Sequence, residues 1–148
     1  MKILLTGASS FTGCWFAREL AAAGHDVTAT FRSAKEGYGE PLRRRRVELV
    51  AAMCRTVHGV AFGDARFLEL VGSGGFDVLA HHAADVTNYR SPDFDAAEAL
   101  KHNIANLGAV LERLRAGGGQ RVLLTGSVFE GGEGAGSQGL PDFSPLFR

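Results

Sequence analysis

Cysteine is scarce in this chain, and neither sign of charge is in surplus. Cys14 and Cys54 stand far apart, with no CxxC pair and no histidine at zinc-ligand spacing. That excludes a disulfide framework and a structural zinc site, and both are read as reduced thiols. Sixteen Lys plus Arg balance sixteen Asp plus Glu, so a polyanion such as nucleic acid is not an expected partner. The one basic cluster, Arg43–Arg46, reads as the solvated face of a helix. No apolar run approaches the ~20 residues that span a bilayer, and no signal-peptide pattern opens the chain. A cytoplasmic protein with no membrane partner is expected. Of its 148 residues, 45% are hydrophobic, enough for one domain burying roughly 70% of its unfolded surface.

Strand-like and helix-like patterns alternate along the chain. Ile3–Leu5 is a short apolar run that ends in the turn TGASSFTG, and a helical pattern rich in Ala and Leu starts at Thr12 and stops at Gly24. Trp15 and Phe16 lie on that helix and are expected to pack against the sheet. Val27–Phe31 reads as a second strand, Ser33–Glu40 as a loop, and Pro41 as the opening of a helix that carries Val47, Leu49 and Val50. Val57–Phe62 is a third strand, Ala65–Val71 a short helix and Phe76–Ala80 a fourth strand. Ser91-Pro92 supplies an N-cap and a first helical residue. Ala97, Leu100, Ile104, Leu107, Leu111 and Leu114 then recur at three- and four-residue steps, the buried stripe of one long helix. Arg121–Leu124 is a fifth strand. This alternation predicts an α/β fold, a Rossmann-type doubly wound parallel sheet that is incomplete after its fifth strand. Residues 1–130 form the domain, and 131–148 are a Gly-, Ser- and Pro-rich tail.

The turn from Thr6 to Gly13 carries the chemistry. It lies between a strand and a helix, the context a phosphate-binding glycine turn requires. Glycine permits the tight turn and the close approach of a pyrophosphate, and the helix N-terminus adds about half a positive charge. Gly7 and Gly13 are six residues apart with no glycine between them; Ser10 holds the midpoint.

At Thr6, Gly7, Phe11 and Gly13 the chain resembles the extended branch of the short-chain dehydrogenase/reductase superfamily, the NAD(P)-dependent epimerases and dehydratases, whose turn reads TGxxGFxG. Ser10 replaces the middle glycine, where its side chain either crowds the pyrophosphate or donates a hydrogen bond to it. Further similarities follow in order. Gly63-Asp64 resembles the acidic residue that meets the adenine, and His81-His82-Ala83-Ala84 the HxAA stretch beside the cofactor. Asn103-Ile104-Ala105-Asn106 resembles the Asn-containing segment of the fourth helix, and Leu124-Thr125-Gly126-Ser127 the segment that ends in the active-site serine. The resemblance implies that Gly7, Ser10, Phe11, Gly13, Arg32, Asp64 and Ala83 line a cofactor. It implies that Ser127 orients a substrate hydroxyl or carbonyl, and that the substrate is a sugar nucleotide or another small molecule. It also implies a homo-oligomer, with the Ala97–Leu114 helix as a candidate surface.

An acidic residue at the end of the second strand would mark NAD. Here that strand ends Thr30-Phe31-Arg32-Ser33. Arg32 suits a 2′-phosphate, with Ser33 adding a hydrogen bond, so NADP is favoured over NAD. His81 and His82 are adjacent on a strand and point to opposite faces, so they do not share a metal. Asp93, Asp95 and Glu98 fall in the first turns of a helix, where its dipole accounts for them.

The family's Tyr-x-x-x-Lys proton relay is absent. Tyr38 is followed four residues on by Leu42 and Tyr89 by Asp93; the lysines are Lys2, Lys35 and Lys101. Ser127 alone can hydrogen-bond a substrate oxygen but not move its proton. Two expectations follow: a truncated cofactor-binding portion of an enzyme, or a non-catalytic dinucleotide-binding module. In either case the fifth strand leaves an exposed apolar edge.

Overall fold

A computed structural model of the chain describes residues 1–86 and 91–126. Five strands, β1 (Lys2–Thr6), β2 (Asp26–Phe31), β3 (Arg55–His58), β4 (Val78–His81) and β5 (Arg121–Leu124), form one sheet. The order is β3-β2-β1-β4-β5, and every neighbouring pair is parallel. The helices are α1 (Phe11–Ala22), α2 (Pro41–Ala51), α3 (Ala65–Gly74), α4 (Ala96–Asn103) and α5 (Leu107–Ala116). The expected doubly wound α/β architecture is therefore present.

Strand alternation sorts the core into two faces. Ile3, Leu5, Val27, Ala29, Val78 and Ala80 point toward Ala17 of α1 and Val47 and Val50 of α2. Leu4 and Leu79, from between those positions, point toward Phe67 and Val71 of α3 and Val110 and Leu114 of α5. The α1 helix lies close to the sheet because its buried residues are small, Gly13 and Ala17. That geometry overturns the packing expected of Trp15 and Phe16. Both are exposed, together with Phe11, since the helix turns its large side chains away from the narrow contact. Trp15 instead lies under the Arg18 guanidinium, 4.5 Å from the ring centroid.

The expected long helix is two helices. Asn106 takes a left-handed conformation, φ 52°, which stops α4 and restarts the chain as α5. Its side-chain amide donates to the Gly63 carbonyl at 2.8 Å, so the break is set by a distant loop. Of the proposed stripe, Leu100, Ile104 and Leu111 are exposed and Leu114 is buried; Ala99 and Val110 enter the core instead. The entry to α4 also differs. Ser91 Oγ only accepts from Asp93 N, and Asp95 is the true N-cap, accepting from Glu98 N at 2.9 Å. Asp95 followed three residues later by Glu98 has capping-box spacing.

Strand ends shift for identifiable reasons. Gly59, at φ +67°, ends β3 well before Phe62, although Val60 N still donates to Phe31 O. Phe76 is buried but precedes β4. The α3 helix runs past Val71 to Gly74 and ends on left-handed Gly75. A single 3₁₀ turn, Lys35–Gly37, interrupts the expected loop. At β5, Leu123 and Leu124 are 57% and 71% exposed, the apolar edge that the pattern predicted.

Gly63 adopts φ +77°, and a Cβ there would overlap the Ala105 carbonyl oxygen; Gly24, at φ +79°, faces open space. Gly24→Ala is expected to cost only the backbone penalty, about 1 kcal/mol. Gly63→Ala should lose clearly more in urea unfolding, because the junction between α4 and α5 must also move. Equal losses would show that the Ala105 contact contributes nothing.

Candidate cofactor-binding site

Parallel register brings the C-terminal ends of four strands to one edge of the sheet, Thr6 beside Thr30 and His81, and Phe31 beside His58. Ligands of doubly wound folds sit outside this edge. The Thr6–Gly13 turn occupies its centre.

One hydroxyl organises the turn. Thr6 Oγ1 accepts the backbone N–H groups of His82, at 3.1 Å, and Ala83, at 3.0 Å. Both its lone pairs are then used, so its hydrogen goes to His81 Nδ1, 2.8 Å away. The His81 ring is thereby fixed with Nδ1 bare, and it lies over Phe62 at a centroid distance of 4.0 Å. The chain leaving β4 crosses directly over Gly7. That residue has φ +79°, and a Cβ on it would come within 2.7 Å of Ala83 N. A Cβ on Gly13 would overlap the Gly7 carbonyl. Both glycines are thus demanded by the closeness of β1, α1 and the segment after β4.

Ser10 caps α1, its hydroxyl accepting from Gly13 N at 3.0 Å. The first helical N–H groups, of Phe11 and Thr12, are not needed within the helix. Arg46 of α2 reaches back to donate to the Ser9 carbonyl at 2.9 Å, and its guanidinium also meets Glu40 at 3.7 Å. Arg44 similarly donates to Tyr38 O. The basic cluster is therefore only partly a solvated face, and Arg46 buttresses the phosphate turn.

Gly7, Ser10, Gly13 and Ala83 come together here, with Phe11 exposed at the helix entrance. Arg32 follows β2 directly; it is exposed and makes no hydrogen bond or ion pair among the described residues. Asp64 lies beyond β3 as the N-cap of α3, its carboxylate accepting from Phe67 N at 2.7 Å and Ala61 N at 2.8 Å. That shapes the loop between β3 and α3. Ser127 lies outside the described residues. His81 pairs with Thr6 and His82 with Ser10; β4 ends at His81, so His82 lies just beyond the strand. Among the described residues no group of three or more His, Cys, Asp or Glu is placed to hold a metal ion. His82 Nε2 meets Ser10 Oγ at 3.1 Å, a pairing that sequence spacing gave no means of finding.

Residues 3–145 match the profile of the NAD dependent epimerase/dehydratase family. The chain belongs to that family. Its fold and turn are accordingly those of the extended short-chain dehydrogenase/reductase type. The ketoreductase CTB6 of Cercospora beticola is 29% identical over 134 residues, which are 85% of this chain and 36% of that protein. Among solved structures, the UDP-glucose-4-epimerase of Stenotrophomonas maltophila with bound NAD is 21% identical. It is matched with a TM-score of 0.64 over 86% of this chain and 37% of its own. The Bordetella bronchiseptica enzyme WbmG in complex with NAD is 23% identical, with a TM-score of 0.59 over 84% and 36%. These two share the fold. The chain thus spans little more than a third of the length of these relatives. No helix among the described residues is long and apolar enough to cross a membrane.

Burial pushes the His81 pKa down; the Asn103 backbone opposes this, and neighbouring His82 adds to it. Burial lowers His82 as well. The unfolded chain therefore binds protons that the folded chain refuses. Stability is full above the unfolded histidine value of about 6.5 and falls as pH drops below it. The urea midpoint should decrease between about pH 7.5 and about pH 5.5, and less so in His81→Asn, whose amide can still accept from Thr6. An equal decrease in that variant would assign the effect elsewhere.

Proposed function

We propose that this chain supplies the dinucleotide-binding part of an NADP-dependent reductase or epimerase/dehydratase acting on a small hydroxyl- or carbonyl-bearing substrate, a sugar nucleotide among them. The observation that carries the cofactor reading is the pairing of a capped helix N-terminus with Arg32. The turn leaves backbone N–H groups and a positive helix end for a diphosphate. One strand away, the Arg32 side chain stands exposed without a partner among the described residues. A guanidinium in that place suits a 2′-phosphate, which it engages by paired charge-assisted hydrogen bonds. The likeness to a ketoreductase supports the reductase alternative.

When bound, the cofactor would supply hydride exchange at its nicotinamide. The residues of this chain bind and orient: Gly7 and Gly13 let backbone and ligand approach, Asp64 shapes the adenine side, and Ala83 passes beside the turn. Ser127 is assigned to the substrate oxygen by resemblance. No Tyr-x-x-x-Lys pair is present in the sequence, so the proton transfer that accompanies hydride exchange is not assigned to these residues. A module that binds the dinucleotide without catalysis is the second reading, since Ser10 stands where the resembling turn carries its middle glycine.

Titration with NADPH and NADH, followed by nicotinamide fluorescence, tests the shared premise. Saturable binding with NADPH preferred is expected, and no binding of either would sink both readings. Arg32→Asp should weaken NADPH roughly tenfold to a hundredfold, as for loss of a charge-assisted contact, with little change for NADH. Equal losses would overturn the 2′-phosphate assignment.

A further inference from the structure

Ser10 stands where the resembling turn carries a glycine, and an imidazole lies against it. A serine hydroxyl has two lone pairs and one hydrogen. One lone pair accepts Gly13 N–H at 3.0 Å. The 3.1 Å contact with His82 Nε2 uses either the second lone pair or the hydrogen, according to which ring nitrogen is protonated.

Nδ1 of the same ring decides between them. It is buried and has no hydrogen-bond partner among the described residues. A buried N–H without an acceptor is the costlier orphan; a bare lone pair is tolerated more often. The neutral ring therefore carries its proton on Nε2 and donates it to Ser10. Burial pushes the His82 pKa down, which agrees with a neutral ring, and protonation would create the orphaned N–H at Nδ1. Phe16 meets the ring edge-on at a centroid distance of 5.0 Å, and the His82 backbone N–H is held by Thr6. With both lone pairs occupied, Ser10 retains only a hydrogen to give.

We propose that His82 holds the Ser10 hydroxyl as a dedicated donor to a diphosphate oxygen of the bound dinucleotide. Ser10 thereby adds a ligand contact in the place of a glycine, and His82 is its positioning residue. This rests on the dinucleotide-binding reading above, and goes beyond it by giving the serine and histidine linked roles.

Two measurements test it. Imidazole nitrogen NMR on the purified chain should find His82 protonated at Nε2 with Nδ1 bare; an Nδ1–H tautomer overturns the proposal. Binding of NADPH is then compared with binding of adenosine 2′-monophosphate, which lacks the diphosphate. Ser10→Ala and His82→Phe should each weaken NADPH about tenfold, the loss expected for one hydrogen bond to a charged acceptor, and leave the mononucleotide unchanged. His82→Gln keeps a side-chain N–H for Ser10 and should recover most of the affinity. His82→Phe leaves the Ser10–Gly13 cap in place, so its loss is not a loss of helix capping. If His82→Phe binds NADPH like the parent, the proposal fails while the dinucleotide reading stands. If the parent chain binds neither NADPH nor NADH, the reading itself fails and the proposal with it.

Discussion

The Thr6 hydroxyl is the contact on which the site is built. Parallel strands β1 and β4 end side by side, and beyond the last rung the backbone N–H groups of the departing chain have no strand partner. Thr6 Oγ1 takes two of them, from His82 and Ala83. A buried polar group left unmade would cost about 1–3 kcal/mol, so this one side chain determines where the segment after β4 travels. It travels across Gly7. The absence of a Cβ there, and the reversal of the chain into α1, follow from that path.

A second consequence concerns the two faces of the sheet. Small residues on the inner side of α1 bring it close enough for Gly13 to touch Gly7, which leaves Phe11, Trp15 and Phe16 outside. On the opposite face the contact is made by large side chains, Phe67, Val71, Val110 and Leu114. The tighter face carries the phosphate turn. The thicker face carries the α4–α5 junction, whose Asn106 is tied to Gly63 in the loop after β3. The Thr6–Gly13 turn and the loop after β3 are thus set by different devices, close backbone approach in one and a side-chain amide in the other.

The features legible in the sequence were those written locally. The turn with its flanking strand and helix, Pro41 opening α2, and strand β5 over Arg121–Leu124 all depend on neighbouring residues. The resemblance likewise followed ordered short motifs. What escaped was set across the fold. Asn106 falls inside the apolar three- and four-residue pattern that reads as one helix, and the left-handed residue is held by a carbonyl far back in the chain. The exposure of Trp15 follows from how near α1 lies to the sheet. The bonds from Arg46 to Ser9 and from His82 to Ser10 join residues that come together only when β2 and β4 flank β1. Apolar periodicity alone cannot separate a core stripe from an outer one when the helix is bent between them.

The strand order has one more implication, for the time course of synthesis. β1 is made first and yet is the central strand, with β2 on one side and β4 on the other. A nascent chain that has completed only β2 and β3 carries Ile3, Leu4 and Leu5 on an open edge. Those residues wait until Val78–His81 emerge before their second side is paired. The Thr6 hydroxyl finds its two N–H partners only at that moment. The Thr6–Gly13 turn precedes every strand but β1 in the sequence, yet it acquires its final shape only once β4 is in place.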